Sequence, residues 1–135
     1  MDSFVTEKIT NEWDYFLARV SAKKFADRLG FCDVNKSKII LSAAELSKNI
    51  LVHAEKGEIS FETITEPGKK GIKISAFDQG PGIENIDQAL QDGFSTANSL
   101  GYGLPSVKRM MDEVTIDSEK GRGTKIVAVK WLKKS

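Results

Sequence analysis

From Phe4 to Ile9 apolar and polar residues alternate, the two-residue period of a short strand with one covered face. Past Thr10 and Asn11, either of which suits a helix cap, the period changes. Trp13, Phe16, Leu17, Val20, Phe25 and Leu29 fall on roughly one side of a helix that Gly30 ends. A second helix opens at Asp33, repeats Ile39, Ala43, Leu46, Ile50 and Ala54 at three- and four-residue steps, and stops before Gly57. Glu58 to Thr65 and Lys69 to Phe77 read as a hairpin joined by Glu66-Pro67-Gly68, a turn-forming set. A glycine-punctuated stretch leads into a helix over Ser106 to Glu113, with Pro105 suited to its first turn. Val114 to Ser118 and Thr124 to Trp131 form a last hairpin through Lys120-Gly121-Arg122-Gly123.

The predicted order is β-α-α-β-β, a loop with a short helix, then α-β-β. Strand pairs joined by tight turns imply a mixed or antiparallel sheet, and three helices on one face make a two-layer α+β sandwich. No repeat, low-complexity tract or linker interrupts the pattern, so residues 1–135 are read as one domain.

Composition narrows the function classes. Hydrophobic content of 40% and charged content of 29% are those of an ordinary globular chain. A net charge of +1 argues against a bulk nucleic-acid binder. With no 18-residue apolar run and no signal peptide at Met1-Asp2-Ser3, no membrane contact is expected. The lone Cys32, a helix-flanking position, makes no internal disulfide, which suits a reducing, cytoplasmic setting. One histidine, His53, and one cysteine exclude a zinc site of the usual kind, and His53 reads as a helix-end charge or a partly packed side chain. Lys130, Lys133 and Lys134 around Trp131 read as a solvated strand end.

Three pieces carry candidate chemistry. Asp78 follows Ile72, Ile74 and Ala76 at two-residue steps, so it faces the side of the sheet that the helices cover. A carboxylate there needs a donor. Either the following turn, Gly80 and Gly82, supplies one as an Asx-turn, or the donor is a ligand amine such as the exocyclic N–H₂ of adenine. Glu45 and Asn49 stand four residues apart on one side of the second helix. They are a solvated flank unless the sheet brings Asp78 under the same helix. In that case the Asn oxygen suits Mg²⁺ and the Glu suits a general base. The run Gly93-Phe94-Ser95-Thr96-Ala97-Asn98-Ser99-Leu100-Gly101-Tyr102-Gly103-Leu104 before the Pro105 helix is either a flexible connector or a phosphate cradle of backbone N–H groups. It lacks the Lys-Ser/Thr ending of a P-loop. Thr124, after Gly123, either terminates the turn or reaches the base through water.

Glu45-Leu46-Ser47-Lys48-Asn49, Asp78-Gln79-Gly80-Pro81-Gly82, Gly101-Tyr102-Gly103-Leu104 and Gly123-Thr124, in this order, resemble the GHKL ATPase/kinase superfamily. Asp92-Gly93-Phe94-Ser95-Thr96 with Leu100 to Glu113 is similar to the RsbT-type kinases of the bacterial stressosome, and the likeness runs from Glu12 to Leu132. The resemblance implies the Bergerat ATP-binding sandwich and a Mg-ATP-dependent serine/threonine kinase. It makes Glu45 the general base, Asn49 the Mg²⁺ ligand and Asp78 the adenine reader. Gly80, Gly82, Gly101, Gly103, Leu104 and Thr124 complete the ATP site. It implies STAS-domain substrates of the RsbS and RsbR kind and a PP2C-type, RsbU-like phosphatase as the partner activated on release. Asn98-Ser99 departs from the pair of glycines expected there, which bears on the nucleotide lid. Two other readings stand beside it: an anti-sigma factor that sequesters a sigma factor, and a nucleotide-gated adaptor with little turnover. The outer face of the last strand, Val127, Val129 and Trp131, is expected to be a docking surface or to be buried under the N-terminal strand.

Overall fold

Turn chemistry decides the strand pairing. The computed structural model of the chain describes residues 3–83, 85–90 and 103–132. Strands β2 (Gly57–Glu66) and β3 (Lys69–Asp78) are joined by Pro67 and Gly68. Gly68 has φ +81°, so proline presets the first turn position and glycine takes the left-handed second. Strands β4 (Glu113–Glu119) and β5 (Gly123–Trp131) close the second hairpin. With β1 (Phe4–Ile9) they form one five-stranded sheet in the order β1-β2-β3-β5-β4, and every neighbouring pair is antiparallel.

Helices cover one face. They are α1 (Glu12–Leu29), α2 (Asp33–Asn49), a short α3 (Ile86–Leu90) and α4 (Leu104–Met110). Asn11 caps α1 by accepting the Asp14 N–H at 3.0 Å, while Thr10 binds the Asp14 carboxylate. Gly30 ends α1 at φ +88°. The α2 hydrogen-bond pattern widens after Asn49 into a π-helical segment over Ile50–Ala54. The core lies between the layers, with Ile39, Leu46 and Ile50 set against Ile59, Phe61, Ile72, Ile74 and Ile126. Among the described residues no helix is long and apolar enough to cross a membrane.

Four expectations are corrected. Trp13 and Phe16 do not face the core; they stack on each other at 5.5 Å and stay 65% and 49% exposed. α1 instead buries Ala18, Ala22, Phe25 and Ala26, because small side chains let the helix lie close to its neighbours. The last helix ends at Met110 rather than Glu113, since Met111 turns extended and Glu113 already pairs with Val129 in β4.

Lys130 is no solvated strand end. It shares the inner face with Thr124, Ile126 and Ala128, is 5% exposed, and donates to the Met110 carbonyl at 2.7 Å. The last three or four carbonyls of a helix lack intrahelical partners and favour a cation, which is what this ammonium gives α4.

The outer strip of β5 is not a continuous apolar surface either. β1 extends the sheet beyond β2 instead of covering β5, and Val127 sits between Ser75 and Thr115. Trp131 donates its indole N–H to Glu113 at 2.6 Å, under the Lys69 ammonium 4.0 Å from its ring centre.

Candidate nucleotide-binding site

Asp78 is the last residue of β3 and pairs with Thr124 at the start of β5, both on the helix-covered face. Space for it comes from Gly57 on β2, where a Cβ would stand 3.1 Å from Asp78 Cβ and 2.9 Å from Ile50 Cγ2. Asp78 Oδ1 accepts the Gly80 N–H at 2.9 Å. The turn therefore does engage the carboxylate, through Gly80. Burial raises the Asp78 carboxyl above its ordinary range, and the Gly80 N–H, the Thr124 backbone and then His53 act against that rise.

Gly82 has another task. At φ +79° it packs so tightly on Glu119 that a Cβ would overlap that residue's carbonyl oxygen. Gly80 lies on Ala54, whose Cβ would be 2.6 Å from a side chain there. Two bonds strap this loop to the β4–β5 hairpin. Gly121 N–H donates to Pro81 O at 2.6 Å, and Ile83 N–H donates to Ser118 Oγ at 2.7 Å.

α2 contributes from above. Asn49 is 6% exposed, and its Nδ2 is buried with no partner. Asn49, His53, Asp78, Gly82, Thr124 and Ile126 line one crevice together with Pro81 and Ile83. Its volume, about 10 Å³, is room for one water. One turn before Asn49, half-buried Glu45 lays its carboxylate against Gly103, which has φ +64°. A Cβ at Gly103 would overlap Glu45 Oε2.

The predicted residues thus fall into groups. Asn49, Asp78, Gly82 and Thr124 meet around the crevice, with Gly80 behind Asp78. Glu45 and Gly103 meet beside it. Leu104 is fully buried in the core and anchors α4. Gly101, the Asp92–Thr96 segment and Asn98-Ser99 lie outside the described residues.

Two residues, His53 and Ser118, were not expected at this site. His53, read above as a helix-end charge or a partly packed side chain, lines the crevice from the π-helical segment that follows Asn49. Ser118 stands next to the crevice rather than in its lining, because the β4–β5 register places it opposite Thr124, 2.8 Å from its Oγ1. Among the described residues no group of three or more His, Cys, Asp or Glu could hold a metal.

Comparison with known proteins identifies the family. The model of the histidine kinase-like ATPase domain matches residues 14–130. The serine/threonine-protein kinase RsbT of Bacillus subtilis (strain 168) is 48% identical over 126 residues, covering 93% of this chain and 95% of that protein. The anti-sigma F factor of Clostridium beijerinckii is 32% identical over 122 residues, covering 84% of this chain and 82% of its own. That of Geobacillus thermodenitrificans is 30% identical over 125 residues, covering 87% and 84%. A chain of the SiaB-SiaC complex from Pseudomonas aeruginosa shares the fold, with a TM-score of 0.54 at 9% identity over 96% of this chain and 89% of that one. This chain belongs to the histidine kinase-like ATPase domain family, in its RsbT-type branch of ATP-using serine/threonine-protein kinases.

Proposed function

We propose that this kinase binds Mg-ATP with the base in the Asp78–Thr124 crevice and transfers the γ-phosphoryl group to Ser or Thr of STAS-domain proteins. The observation that carries the reading is one juxtaposition. Asp78, its carboxyl raised by burial, stands across the crevice from a buried Asn49 whose amide has an unpartnered atom. Left empty, such an arrangement is costly by about 1–3 kcal/mol for the orphaned group alone. A nucleotide with its metal supplies what both groups lack.

The roles follow from chemistry. The Asp78 carboxylate accepts from the exocyclic amine of adenine and disfavours a carbonyl at that position. Asn49 fits the metal: its carbonyl oxygen is a hard ligand, and its amide orientation is interchangeable, so either end can meet a Mg²⁺–phosphate group. Bound there, Mg²⁺ would offset the charge of the β- and γ-phosphates. Glu45, beside the glycine that leads into α4, accepts the proton of the attacking hydroxyl. That hydroxyl oxygen bonds the γ-phosphorus as the bond to the β,γ-bridging oxygen breaks, and the leaving group is ADP.

The partners proposed are STAS-domain antagonist and scaffold proteins of the RsbS and RsbR kind as substrates. A PP2C-type, RsbU-like phosphatase is the protein activated once the kinase is released. The setting is a cytoplasmic partner-switching stress cascade without nucleic acid or membrane. The near-full-length likeness to RsbT supports this choice. The anti-sigma F likeness favours a second reading, sequestration of a sigma factor.

Radiolabelled ATP incubated with the STAS proteins encoded beside this chain should label them at Ser or Thr. Labelling of none, with capture of a sigma factor in a pull-down, would favour the second reading instead.

A further inference from the structure

The Ser118 hydroxyl, on β4, touches three groups at once. Ile83 N lies 2.7 Å away, Gly123 O 3.0 Å and Thr124 Oγ1 2.8 Å. One arrangement of the protons makes all three contacts at once. An amide N–H only donates, so Ile83 occupies a lone pair of Ser118. A carbonyl only accepts, so Gly123 takes the single Ser118 hydrogen. One lone pair of Ser118 remains, and in this arrangement the Thr124 hydroxyl donates into it. Thr124 is 8% exposed and lines the crevice with Asp78. With its hydrogen committed to Ser118, its oxygen is left as an acceptor alone.

We propose that Ser118 is a specificity-determining positioning residue. By taking the Thr124 proton it makes Thr124 an obligate acceptor. The crevice then presents two acceptors, the Asp78 carboxylate and the Thr124 hydroxyl, to a purine edge that carries a donor. A 6-aminopurine satisfies both. A 6-oxopurine sets its O6 lone pairs against both and offers only the single N1–H as a donor. Without Ser118 the Thr124 hydroxyl rotates and can donate, and half of that discrimination disappears. The inference rests on the reading of the crevice as a purine site.

The test is calorimetric titration with ATP and with inosine triphosphate, on wild type, Ser118→Ala, Ser118→Thr, Thr124→Val and the Ser118→Ala/Thr124→Val double variant. The ATP-over-inosine preference should fall about tenfold in Ser118→Ala, the worth of one reversed hydrogen bond. Ser118→Thr, which keeps the hydroxyl, should retain it. Thr124→Val should also lower it, and adding Ser118→Ala to Thr124→Val should lower it no further, since Ser118 acts through Thr124. A merely structural Ser118 would weaken both nucleotides equally.

An unchanged preference in Ser118→Ala, or a further fall in the double variant, overturns the proposal. If Ser118→Ala does not fold, an unchanged preference in Thr124→Val overturns it just as well. Wild type that binds neither nucleotide would remove the purine reading itself. Wild type that prefers ATP with Ser118→Ala unchanged would remove only the role of Ser118.

Discussion

Burial pushes the Asp78 carboxyl upward, and the Gly80 N–H, the Thr124 backbone and His53 only partly restrain it. The sign of the consequence is definite. The unfolded chain releases this proton at a lower pH than the folded one. Asp78 therefore favours folding fully below the ordinary carboxylate range, and that contribution declines as pH rises through the folded-state value. ATP binding runs the other way, because the acceptor is the ionised form. We predict that Asp78→Asn abolishes ATP binding in calorimetry while the urea midpoint at pH 7 holds or rises. A loss of more than about 1 kcal/mol in stability would mean that the carboxylate supports the fold rather than a ligand.

The neighbouring Glu45 invites a paired experiment. Glu45→Ala should keep ATP affinity and lose phosphotransfer by about a hundredfold or more. Gly103→Ala, which drives a Cβ into the Glu45 carboxylate from a left-handed backbone, should lower transfer more than binding. Asp78 was legible in the sequence because strand alternation alone says which way it points. The parts of Ser118 and His53 were not, because the contact of Ser118 with Thr124 depends on hairpin register and the place of His53 on the π-helical course of the chain after Asn49.

At the scale of elements, periodicity identified α1 but not the face it buries. Aromatic residues dominate a hydrophobic pattern by size, yet in a two-layer sandwich a helix crossing its neighbours closely is better served by Ala18, Ala22 and Ala26. Phe25 is the exception, packed 5.8 Å from the Phe61 ring. The outcomes should differ sharply: Phe25→Ala should destabilise by about 3–5 kcal/mol, and Trp13→Ala by no more than about 0.5 kcal/mol. Equal losses in chemical denaturation would show that the exposed Trp13–Phe16 stack is buried in solution. The early end of α4 was hidden for a related reason. Helix propensity does not stop at Met110; pairing of Glu113 with Val129 and the ammonium of Lys130 on the Met110 carbonyl stop it there. Both are tertiary effects: strand alternation puts Lys130 on the inner face with Ile126 and Ala128, but only packing brings its ammonium to the Met110 carbonyl.

Across the whole molecule, the crevice exists only when distant segments converge. Asn49 comes from α2, Asp78 from the end of β3 and Thr124 from β5, and Ser118 on β4 ties the loop after Asp78 to the last hairpin. A ligand that bridges these pieces binds the folded chain and not the unfolded one, so folding and binding must be linked. At a hundred times its dissociation constant, Mg-ATP should add about 2.7 kcal/mol of stability and raise the melting temperature on the order of 10 °C. Three variants divide the effect. Glu45→Ala should keep the whole shift, because its proposed part is to take a proton. Asp78→Asn should show none. Asn49→Ala should show a reduced shift that chelation with EDTA hardly alters, whereas EDTA should cut the wild-type shift substantially. An Asp78→Asn protein stabilised by ATP as much as wild type would place the nucleotide elsewhere on the molecule. An EDTA effect of equal size in wild type and Asn49→Ala would assign the metal to another group.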